Sequence, residues 1–268
     1  MEKSRIAESF DRLKNENRKG FIPFITAGDP DLKRTKDLIL MLAREQATVI
    51  ELGVPFSDPM ADGVVIQRAS ERALKHDFGI AEILDLVREA RAETNAAIIL
   101  FSYFNPLLQY GLEKLCREAR AAGVDGFLVT DLVPEEAAEF SRLLRQNNLD
   151  MIFLVAPTSS DERLKMVAER AGGFIYAVSR AGVTGAREQT SQSAEVLVER
   201  VRKFSDLPVA VGFGISNAGQ IAETWKYADA AVVGSAIVRE IENSSGEDGL
   251  VEKIGEFVRK LLPESPSN

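Results

Sequence analysis

The chain has 268 residues, of which 45% are hydrophobic and 28% are charged, and its formal net charge of -8 argues against nucleic acid and anionic membrane surfaces as partners. Cys116 is its one cysteine and His76 its one histidine, which excludes an internal disulfide framework and leaves little for a transition-metal site. The sequence shows neither a signal-peptide pattern nor an apolar run near the roughly 18 residues of a membrane span. We therefore expect a cytoplasmic protein that folds as one domain over residues 1–268 and binds no metal.

The first twenty residues are charged and amphipathic, and they predict a helix ahead of the first strand. Eight short apolar runs then follow along the chain. The runs are rich in Ile, Val and Phe and are continuous rather than alternating, which is typical of parallel strands that are buried on both faces. They are FIPFIT (21–26), TVIEL (48–52), AAIILF (96–101), GFLVT (126–130), DMIFLV (150–155), FIYAVS (174–179), LPVAVGFG (207–214) and DAAVVGS (229–235).

Amphipathic stretches separate the runs, and a weak repeat recurs in which a helix ends, often at glycine, and a strand follows. Eight strands that each precede a helix predict an α/β fold, the (β/α)8 TIM barrel, with the extra N-terminal helix capping its lower end. A doubly wound open sheet is the alternative, but its usual GxGxxG pattern is missing after the first strand. Residues 263–268, PESPSN, are expected to form a disordered tail.

In a (β/α)8 barrel the chemistry takes place where the strands end. Neither lysine nor histidine closes a strand here, which excludes a Schiff base, a His-ligated metal and a histidine general base. Acid–base work must therefore fall to carboxylates. The candidate residues at the strand ends are Thr26, Glu51, Tyr103 with Asn105, Asp131, Ser179 with Arg180, Gly212 to Gly214, and Gly234 with Ser235.

The segment ELGVPFSDPMADG (51–63) holds three acids. Glu51 ends a buried strand, and burial would raise its pKa toward the range useful for acid–base catalysis, although pairing with a neighbouring helix is the alternative. Asp58 lies in SDP, where an aspartate usually bonds local backbone N–H groups. Asp62, in ADG, is either a second turn residue or a site residue, and its spacing alone leaves both open.

Glycine-containing loops follow three consecutive strands, as RAGVTG (180–185), GFGIS (212–216) and GSAIV (234–238). Glycine lets backbone N–H groups approach an anion, and a helix that begins at Ser235 adds a favourable dipole. The loops after the seventh and eighth strands of such barrels often hold phosphate. The residues thus predict an enzyme that acts on a small phosphorylated metabolite, with residues 180–191 as a candidate lid.

The same motifs resemble the tryptophan synthase alpha subunit, a family of indole-3-glycerol-phosphate lyases. The matching segments keep the same order over nearly the whole chain, and the one that holds Glu51 and Asp62 is long and highly specific. The segments are PFITAGDPD (23–31), ELGVPFSDPMADG (51–63), SYFNPLLQYG (102–111), VTDLVPEE (129–136), SRAGVTG (179–185), GFGIS (212–216) and VVGSAIV (232–238).

The resemblance implies a (β/α)8 barrel that splits indole-3-glycerol phosphate into indole and glyceraldehyde 3-phosphate, a retro-aldol step. It makes Glu51 the general acid–base residue and Asp62 the group that faces the indole N–H, with Thr184 bonding Asp62 when the lid closes. The family implies the rest of the site as well. Side chains of Phe24, Tyr103, Tyr176 and Phe213 would line the indole and glycerol pocket, and backbone amides of Gly185, Gly214, Gly234 and Ser235 would hold the phosphate.

The resemblance also implies a partner. Family members pair with a beta subunit, expected here as an alpha2beta2 complex, which uses pyridoxal phosphate to join indole to serine. That cofactor would belong to the partner, and this chain would need none of its own. Loops 56–63 and 104–111 would face the beta subunit, and Asp58 matches a position in this interface.

The sequence departs from the family pattern at a few positions. Met60 stands for the usual Leu, and Leu132 or Val133 for a usual Pro. Val64 stands for a proline directly after the Asp62 segment, so the chain there loses a fixed φ. A catalytically weak regulatory alpha subunit that activates the beta subunit is therefore the alternative function. A second alternative is another phosphate-binding barrel enzyme, such as an isomerase or the enzyme that forms indole-3-glycerol phosphate. The latter enzyme would need a lysine at a strand end.

Overall fold

The structure is a computed structural model that describes residues 3–178, 187–212 and 214–263, without the side chains of residues 187–191. Within these residues eight parallel strands form a closed barrel, in which each strand pairs with the next and the last pairs with the first. The strands are β1 (Gly20–Thr26), β2 (Val49–Gly53), β3 (Ala97–Ser102), β4 (Gly126–Val129), β5 (Asp150–Val155), β6 (Ile175–Val178), β7 (Val209–Gly212) and β8 (Ala230–Val233).

Helices surround the barrel. No helix in the parts of the chain that the structure describes is both long and apolar enough to cross a membrane. The helices are α1 (Arg5–Asn15), α2 (Leu32–Arg44), α3 (Val64–Ala73), α4 (Ile80–Arg91), α5 (Phe104–Tyr110), α6 (Leu112–Ala122), α7 (Ala138–Gln146), α8 (Asp161–Arg170), α9 (Arg187–Arg202), α10 (Ala218–Thr224), α11 (Ser235–Ser244) and α12 (Leu250–Leu261).

Both faces of the strands are buried, which explains why the apolar runs are continuous. Along β1, Ile22 and Phe24 point into the barrel, while Phe21 packs outward against the helices. The register places Glu51 of β2 between Phe24 of β1 and Ile99 of β3. Glu51 is therefore an interior residue, surrounded by the side chains that fill the barrel.

Helix α1 closes the N-terminal end of the barrel. Phe10 belongs to the same apolar cluster as the interior strand residues, and its ring centroid lies 5.9 Å from that of Phe174. Arg5 Nη1 donates to the buried Asp125 Oδ1 at 2.9 Å, which fixes the start of the helix to the barrel. The predicted N-terminal cap is confirmed.

The predicted (β/α)8 barrel is confirmed, and the open-sheet alternative is wrong because β8 pairs with β1. Each predicted run agrees with its strand to within two residues at either end. The run 207–214 differs most, since Pro208 has no N–H to donate and only its carbonyl takes part, accepting from Ile175 N at 2.9 Å. The single domain and the disordered tail stay predictions, and residues 264–268 lie outside the described residues.

Helix α3 begins at Val64, so the departure from the family's proline falls on the first helical residue. The N–H group at this position has no intrahelical acceptor, and proline is favoured there. The preceding Gly63 has φ -72° and ψ 158°, an extended conformation that a following proline also prefers. The backbone at Val64 therefore already has the shape that a proline would fix.

We expect Val64→Pro to raise the free energy of unfolding by about 0.4–1 kcal/mol, because proline restricts the unfolded chain and fits the folded backbone. Thermal unfolding of the two proteins measures the difference. Val64→Ala is the control, since it removes the same side chain, which is 63% exposed, and leaves φ free. A gain that Val64→Ala shares, or a lower Tm for Val64→Pro, would contradict this explanation.

Candidate active site

The C-terminal ends of the strands surround a cavity of about 240 Å³. A larger groove of about 580 Å³ follows α2 and the start of α12, but its lining, which includes Asp31 and Arg34, carries both signs of charge and belongs to helices and loops. The cavity at the strand ends is therefore the candidate site. The sequence-predicted residues that line it are Phe24, Glu51, Asp62, Tyr176, Gly214, Gly234 and Ser235.

Glu51 is the central acid of this cavity. It is the third residue of β2, it is 1% exposed, and its Oε1 has no hydrogen-bond partner among the described residues. Burial disfavours the charged form and raises the pKa of Glu51 to about 8. The carboxyl group is therefore protonated at neutral pH and can act as an acid, and no helix residue pairs with it within the described chain.

Asp62 lies on the loop between β2 and α3, two residues before the helix begins. Its N–H donates to Pro59 O at 3.1 Å, and its carbonyl accepts from Gln67 Nε2 at 2.9 Å, which ties the loop to α3. Burial raises the pKa of its carboxyl group to about 6, and a hydrogen bond from Tyr103 opposes that rise. Asp62 is therefore ionised at neutral pH, whereas Glu51 is not.

Tyr103 supports Asp62 from behind and does not itself line the cavity. Its hydroxyl accepts from Ala61 N at 2.8 Å, and its ring packs on Phe56 at a centroid distance of 5.2 Å. Burial, together with the nearby charge of Asp62, raises the pKa of Tyr103 to about 12. The phenol thus keeps its proton and can donate it in a hydrogen bond to the Asp62 carboxylate.

Asp58, the third acid of the segment, lies apart from the cavity. Its side chain is exposed and accepts from Ser57 Oγ at 2.6 Å, and its carbonyl accepts from Met60 N at 2.9 Å. These local bonds shape the turn between Glu51 and Asp62. The structure therefore separates Asp58 from the two acids that share the cavity.

Aromatic side chains form one wall, and glycines make room for them. Phe24 meets Phe101 edge to face at a centroid distance of 5.1 Å. A Cβ atom on Gly53 would lie 2.5 Å from Phe24 Cζ, and one on Gly212 would lie 2.1 Å from the Tyr176 hydroxyl. Both rings can occupy these positions only because the neighbouring strand carries glycine there.

The cavity residues that were missed from the sequence include Phe101, Thr130, Leu154 and Val178. Three of them are ordinary apolar strand residues in composition, so nothing in their type distinguishes them. The alternation of side chains along a strand could have identified them, because residues two apart on a strand face the same side. Once Glu51 is placed inside, the register with β3 also brings the C-terminal end of that strand, with Phe101, to the cavity.

The far end of the cavity is built from backbone. Gly214 has a φ of +79°, in the left-handed region that favours glycine, and a Cβ atom there would meet nothing within 4 Å. Helix α11 begins at Ser235, as predicted, and its first N–H groups lack intrahelical acceptors. Among the described residues that line the cavity, none is lysine or arginine. An anion here would be held by N–H groups and the helix dipole.

Within the described ranges of the chain, no group of three or more His, Cys, Asp or Glu side chains is arranged to hold a metal ion. Among the described residues that line the cavity, the titratable groups are Glu51, Asp62 and Tyr176. Burial and the charge of Glu51 raise the pKa of Tyr176 well above its ordinary value, so this phenol also stays protonated. The cavity therefore offers carboxyl, phenol and backbone N–H groups for chemistry.

A family model described as tryptophan synthase alpha chain matches residues 10–263. The chain belongs to the tryptophan synthase alpha chain family. Members of this family cleave indole-3-glycerol phosphate, a carbon–carbon lyase reaction of tryptophan biosynthesis. The resemblance that the sequence motifs indicated is confirmed, and nothing in the comparisons favours the regulatory alternative.

Relatives from several organisms match this chain over almost its whole length. The tryptophan synthase alpha chain of Solibacter usitatus is 48% identical over 258 residues, which cover 96% of this chain and 97% of that protein. The alpha chain of Geobacter sulfurreducens is 49% identical with the same coverage. Among solved structures, tryptophan synthase subunit alpha from Legionella pneumophila has a TM-score of 0.89 at 36% identity, covering 97% of each chain. A chain of the tryptophan synthase a2b2 complex from Pyrococcus furiosus has a TM-score of 0.84 at 41% identity, covering 90% of this chain and 97% of that one.

Some residues that the family resemblance implies lie outside the described residues. These are Thr184 and Gly185 in the candidate lid and Phe213 after β7. Of the lid at 180–191, the structure gives only the backbone from Arg187 onward, as the first turn of α9. Their roles stay predictions.

Glu51 gives the stability of this chain a pH dependence of definite sign. Folding raises its pKa from 4.5 to about 8, so the folded state keeps a proton that the unfolded state releases between these values. The stability that protonated Glu51 contributes to the folded state is fully present below its pKa in the unfolded chain, and it is lost as the pH rises through its pKa in the folded chain. We expect Tm of the wild type to fall relative to Glu51→Gln between about pH 5 and about pH 9, by calorimetry. Parallel curves for the two proteins would contradict the raised pKa.

Proposed function

We propose that this chain cleaves indole-3-glycerol phosphate to indole and glyceraldehyde 3-phosphate with Glu51 and Asp62 as its catalytic residues. One observation carries the proposal: a single cavity is lined by the fully buried carboxyl group of Glu51, the less buried carboxyl group of Asp62 and the N-terminus of helix α11. Indole C3, the indole N–H and the phosphate group are the three parts of the substrate that would need these partners.

Glu51 would act at the carbon–carbon bond. Cleavage of that bond needs an electron sink, and protonation of indole C3 turns the ring itself into an iminium-like sink. The Glu51 carboxyl donates this proton and, as a carboxylate, then takes a proton from the glycerol hydroxyl. The C–C electrons return to the ring, the hydroxyl carbon becomes an aldehyde, and the proton count balances. The chemistry needs neither a lysine nor a metal nor a cofactor in this chain.

Asp62 would stabilise the charge that this step creates. Its carboxylate accepts a hydrogen bond from the indole N–H, and positive charge develops at that nitrogen in the transition state. A hydrogen bond from Tyr103 lowers the pKa of the same carboxylate and so favours its ionised form. The two acids need opposite protonation states, and their different burial sets them apart, with a pKa of about 8 for Glu51 and about 6 for Asp62.

The rest of the cavity would bind the two ends of the substrate. Phe24 and Tyr176 offer apolar faces to the indole ring, and the family resemblance adds Phe213. Backbone N–H groups at the second glycine-rich loop and at the start of α11 would hold the phosphate, with Gly185 from the lid. Thr184 would bond Asp62 when the lid closes over the substrate.

We infer that a beta subunit binds over the mouth of the cavity. Large apolar side chains are exposed in the segments that follow three neighbouring strands: Met60 on the loop after β2 is 93% exposed, Leu108 in helix α5 after β3 is 53% exposed, and Val133 on the loop after β4 is 39% exposed. Exposed apolar patches of this kind mark interaction surfaces. The Pyrococcus furiosus relative is described as an a2b2 complex. Pyridoxal phosphate would then belong to the beta subunit, and the complex would work in the cytoplasm.

The deciding experiment adds indole-3-glycerol phosphate to the purified chain, with and without a beta subunit, and measures indole. Indole formed by the chain alone, or only with the partner, supports the lyase function, and the second result adds activation by the partner. Complex formation without any indole would instead favour the regulatory alternative.

Glu51→Gln should remove indole production while leaving substrate affinity within about tenfold, because the amide fills the same space but has no acidic proton to transfer. Asp62→Asn should lower turnover strongly and leave some activity. Asp58→Asn is the matched control, since Asp58 lies on the same segment outside the cavity. Steady-state kinetics of the three variants test the assignment. A silent Asp62→Asn together with an inactive Asp58→Asn would mean that the wrong aspartate is assigned.

The pH dependence of kcat/KM should be bell-shaped. Activity needs ionised Asp62 and protonated Glu51, so it should rise as pH passes about 6 and fall as pH passes about 8. Initial rates of indole formation from pH 5 to pH 9 measure both limbs. A profile that keeps rising above pH 8 would contradict Glu51 as the acid.

A further inference from the structure

Four charged side chains outside the cavity lining, Asp29, Arg68, Arg72 and Glu242, form a network, named here the Glu242 network. The Asp29 side chain is fully buried after β1 and accepts from Arg72 Nε and Nη2 at 2.8 Å each. Arg72 Nη1 also donates to Glu242 Oε1 at 2.7 Å. Arg68 Nε and Nη2 donate to the two Glu242 oxygens at 2.7 and 2.6 Å. These charge-assisted bonds join the loop after β1 to α3 and α11.

The two helices that the network joins lead to the two ends of the cavity. Helix α3 carries both arginines and begins two residues after Asp62, whose carbonyl accepts from Gln67 of the same helix. Helix α11 carries Glu242 and begins at Ser235, which lines the cavity together with Gly234. The network therefore links the helix behind the catalytic aspartate to the helix whose first N–H groups face the anion end.

The helices also touch the cavity through packing. Ala69 of α3 and Val238 of α11 are both fully buried, and they form one apolar cluster with Phe24, whose ring lines the cavity. Contacts between small apolar side chains such as these set the distance between the two helices, but they do little to prevent one helix from sliding along the other. The paired N–H groups of an arginine fork are directional, so the network fixes the position of α3 along α11.

The charges of the network are balanced, with two arginines against two carboxylates. Hydrogen bonds from Arg68 and the attraction of both arginines lower the pKa of Glu242 to about 2. Glu242 is thus ionised over the whole range in which Glu51 and Asp62 titrate. Glu242 therefore does not change its charge when the active site does.

We propose that Glu242 is a positioning residue, which holds the Asp62 end and the phosphate end of the cavity at the separation that one substrate molecule requires. The inference rests on the proposed function, since that function assigns the two ends. A ligand that spans both ends gains from a fixed separation, because binding of its second end is effectively intramolecular. The affinity of a ligand that occupies only one end does not depend on the separation of the two ends.

Glu242→Ala tests this role. It cuts the link between α3 and α11 and leaves the Arg72–Asp29 pair in place, so no buried carboxylate loses its partner. Glu45→Ala is the matched control, because Glu45 also accepts from an arginine, Arg259, on another outer helix. Its side chain is 18% exposed against 24% for Glu242. Glu45 follows the C-terminal end of α2, so it lies at the end of the barrel opposite the cavity.

Three ligands separate positioning from a general loss of structure: inorganic phosphate, indole, and a non-cleavable analogue that joins indole to phosphate through a propyl chain. For Glu242→Ala we expect Kd of phosphate and of indole to stay within about threefold, while Kd of the analogue rises about tenfold or more. The value of kcat/KM for indole-3-glycerol phosphate should fall by a similar factor of about ten. Glu45→Ala should leave all four values within about twofold.

Equal analogue affinity in the two variants would overturn the positioning role. A uniform loss for phosphate, indole and analogue in Glu242→Ala would also overturn it, since that result means a loosened fold. Glu242→Gln keeps the side-chain volume and one acceptor oxygen, so its Kd for the analogue should lie between those of wild type and Glu242→Ala. This variant replaces Glu242→Ala in the experiment if the alanine variant does not fold. Wild type that binds the analogue but forms no indole would count against the proposed function alone.

Discussion

The burial of one carboxyl group, that of Glu51, is the constraint on which the rest of the site depends. Its side chain points into a closed barrel, where it is 1% exposed and where Oε1 has no hydrogen-bond partner among the described residues. An ionised carboxylate in such a place is strongly disfavoured, so the group keeps its proton at neutral pH. Closure of the barrel supplies this environment, because Phe24 and Ile99 flank Glu51 from the two neighbouring strands.

Asp62 has to differ from Glu51 in its pKa, and it does so because it lies on a loop and not on a buried strand. Asp62 is only half-buried, and the Tyr103 hydroxyl donates to its carboxylate, so its pKa stays below that of Glu51. The loop is held by Gln67 and by the start of α3, which sets where the carboxylate points. A strand residue and a loop residue thus provide an acid and a carboxylate within one cavity.

The barrel and the place of Glu51 at a strand end could be predicted from the sequence, because both depend on local patterns, whereas spacing alone left Asp62 open and only the family resemblance assigned it a role. Buried strands are continuous apolar runs, and a carboxylate that ends such a run either works at the site or pairs with a neighbouring helix, a choice that only the structure decides. Phe101 and Leu154 were not predicted, because their exposure to the cavity depends on strand register. Thr184 and Phe213 rest on the family resemblance alone. The Glu242 network was invisible in the sequence, since Glu242 is separated from Arg68 by 174 positions and from Arg72 by 170.

The absence of lysine and arginine from the described lining of the cavity follows from the same constraint on Glu51. A cation would bind the phosphate more strongly than backbone N–H groups do, but at short range it would also favour the ionised form of Glu51 and lower its pKa. The site would then gain affinity and lose its acid. Partial charges at a helix N-terminus act over about one turn, so they reach the phosphate with less effect on Glu51. Arg68 and Arg72 stand outside this cavity, each paired with a carboxylate, and burial alone, not the charge of either arginine, sets the raised pKa of Glu51.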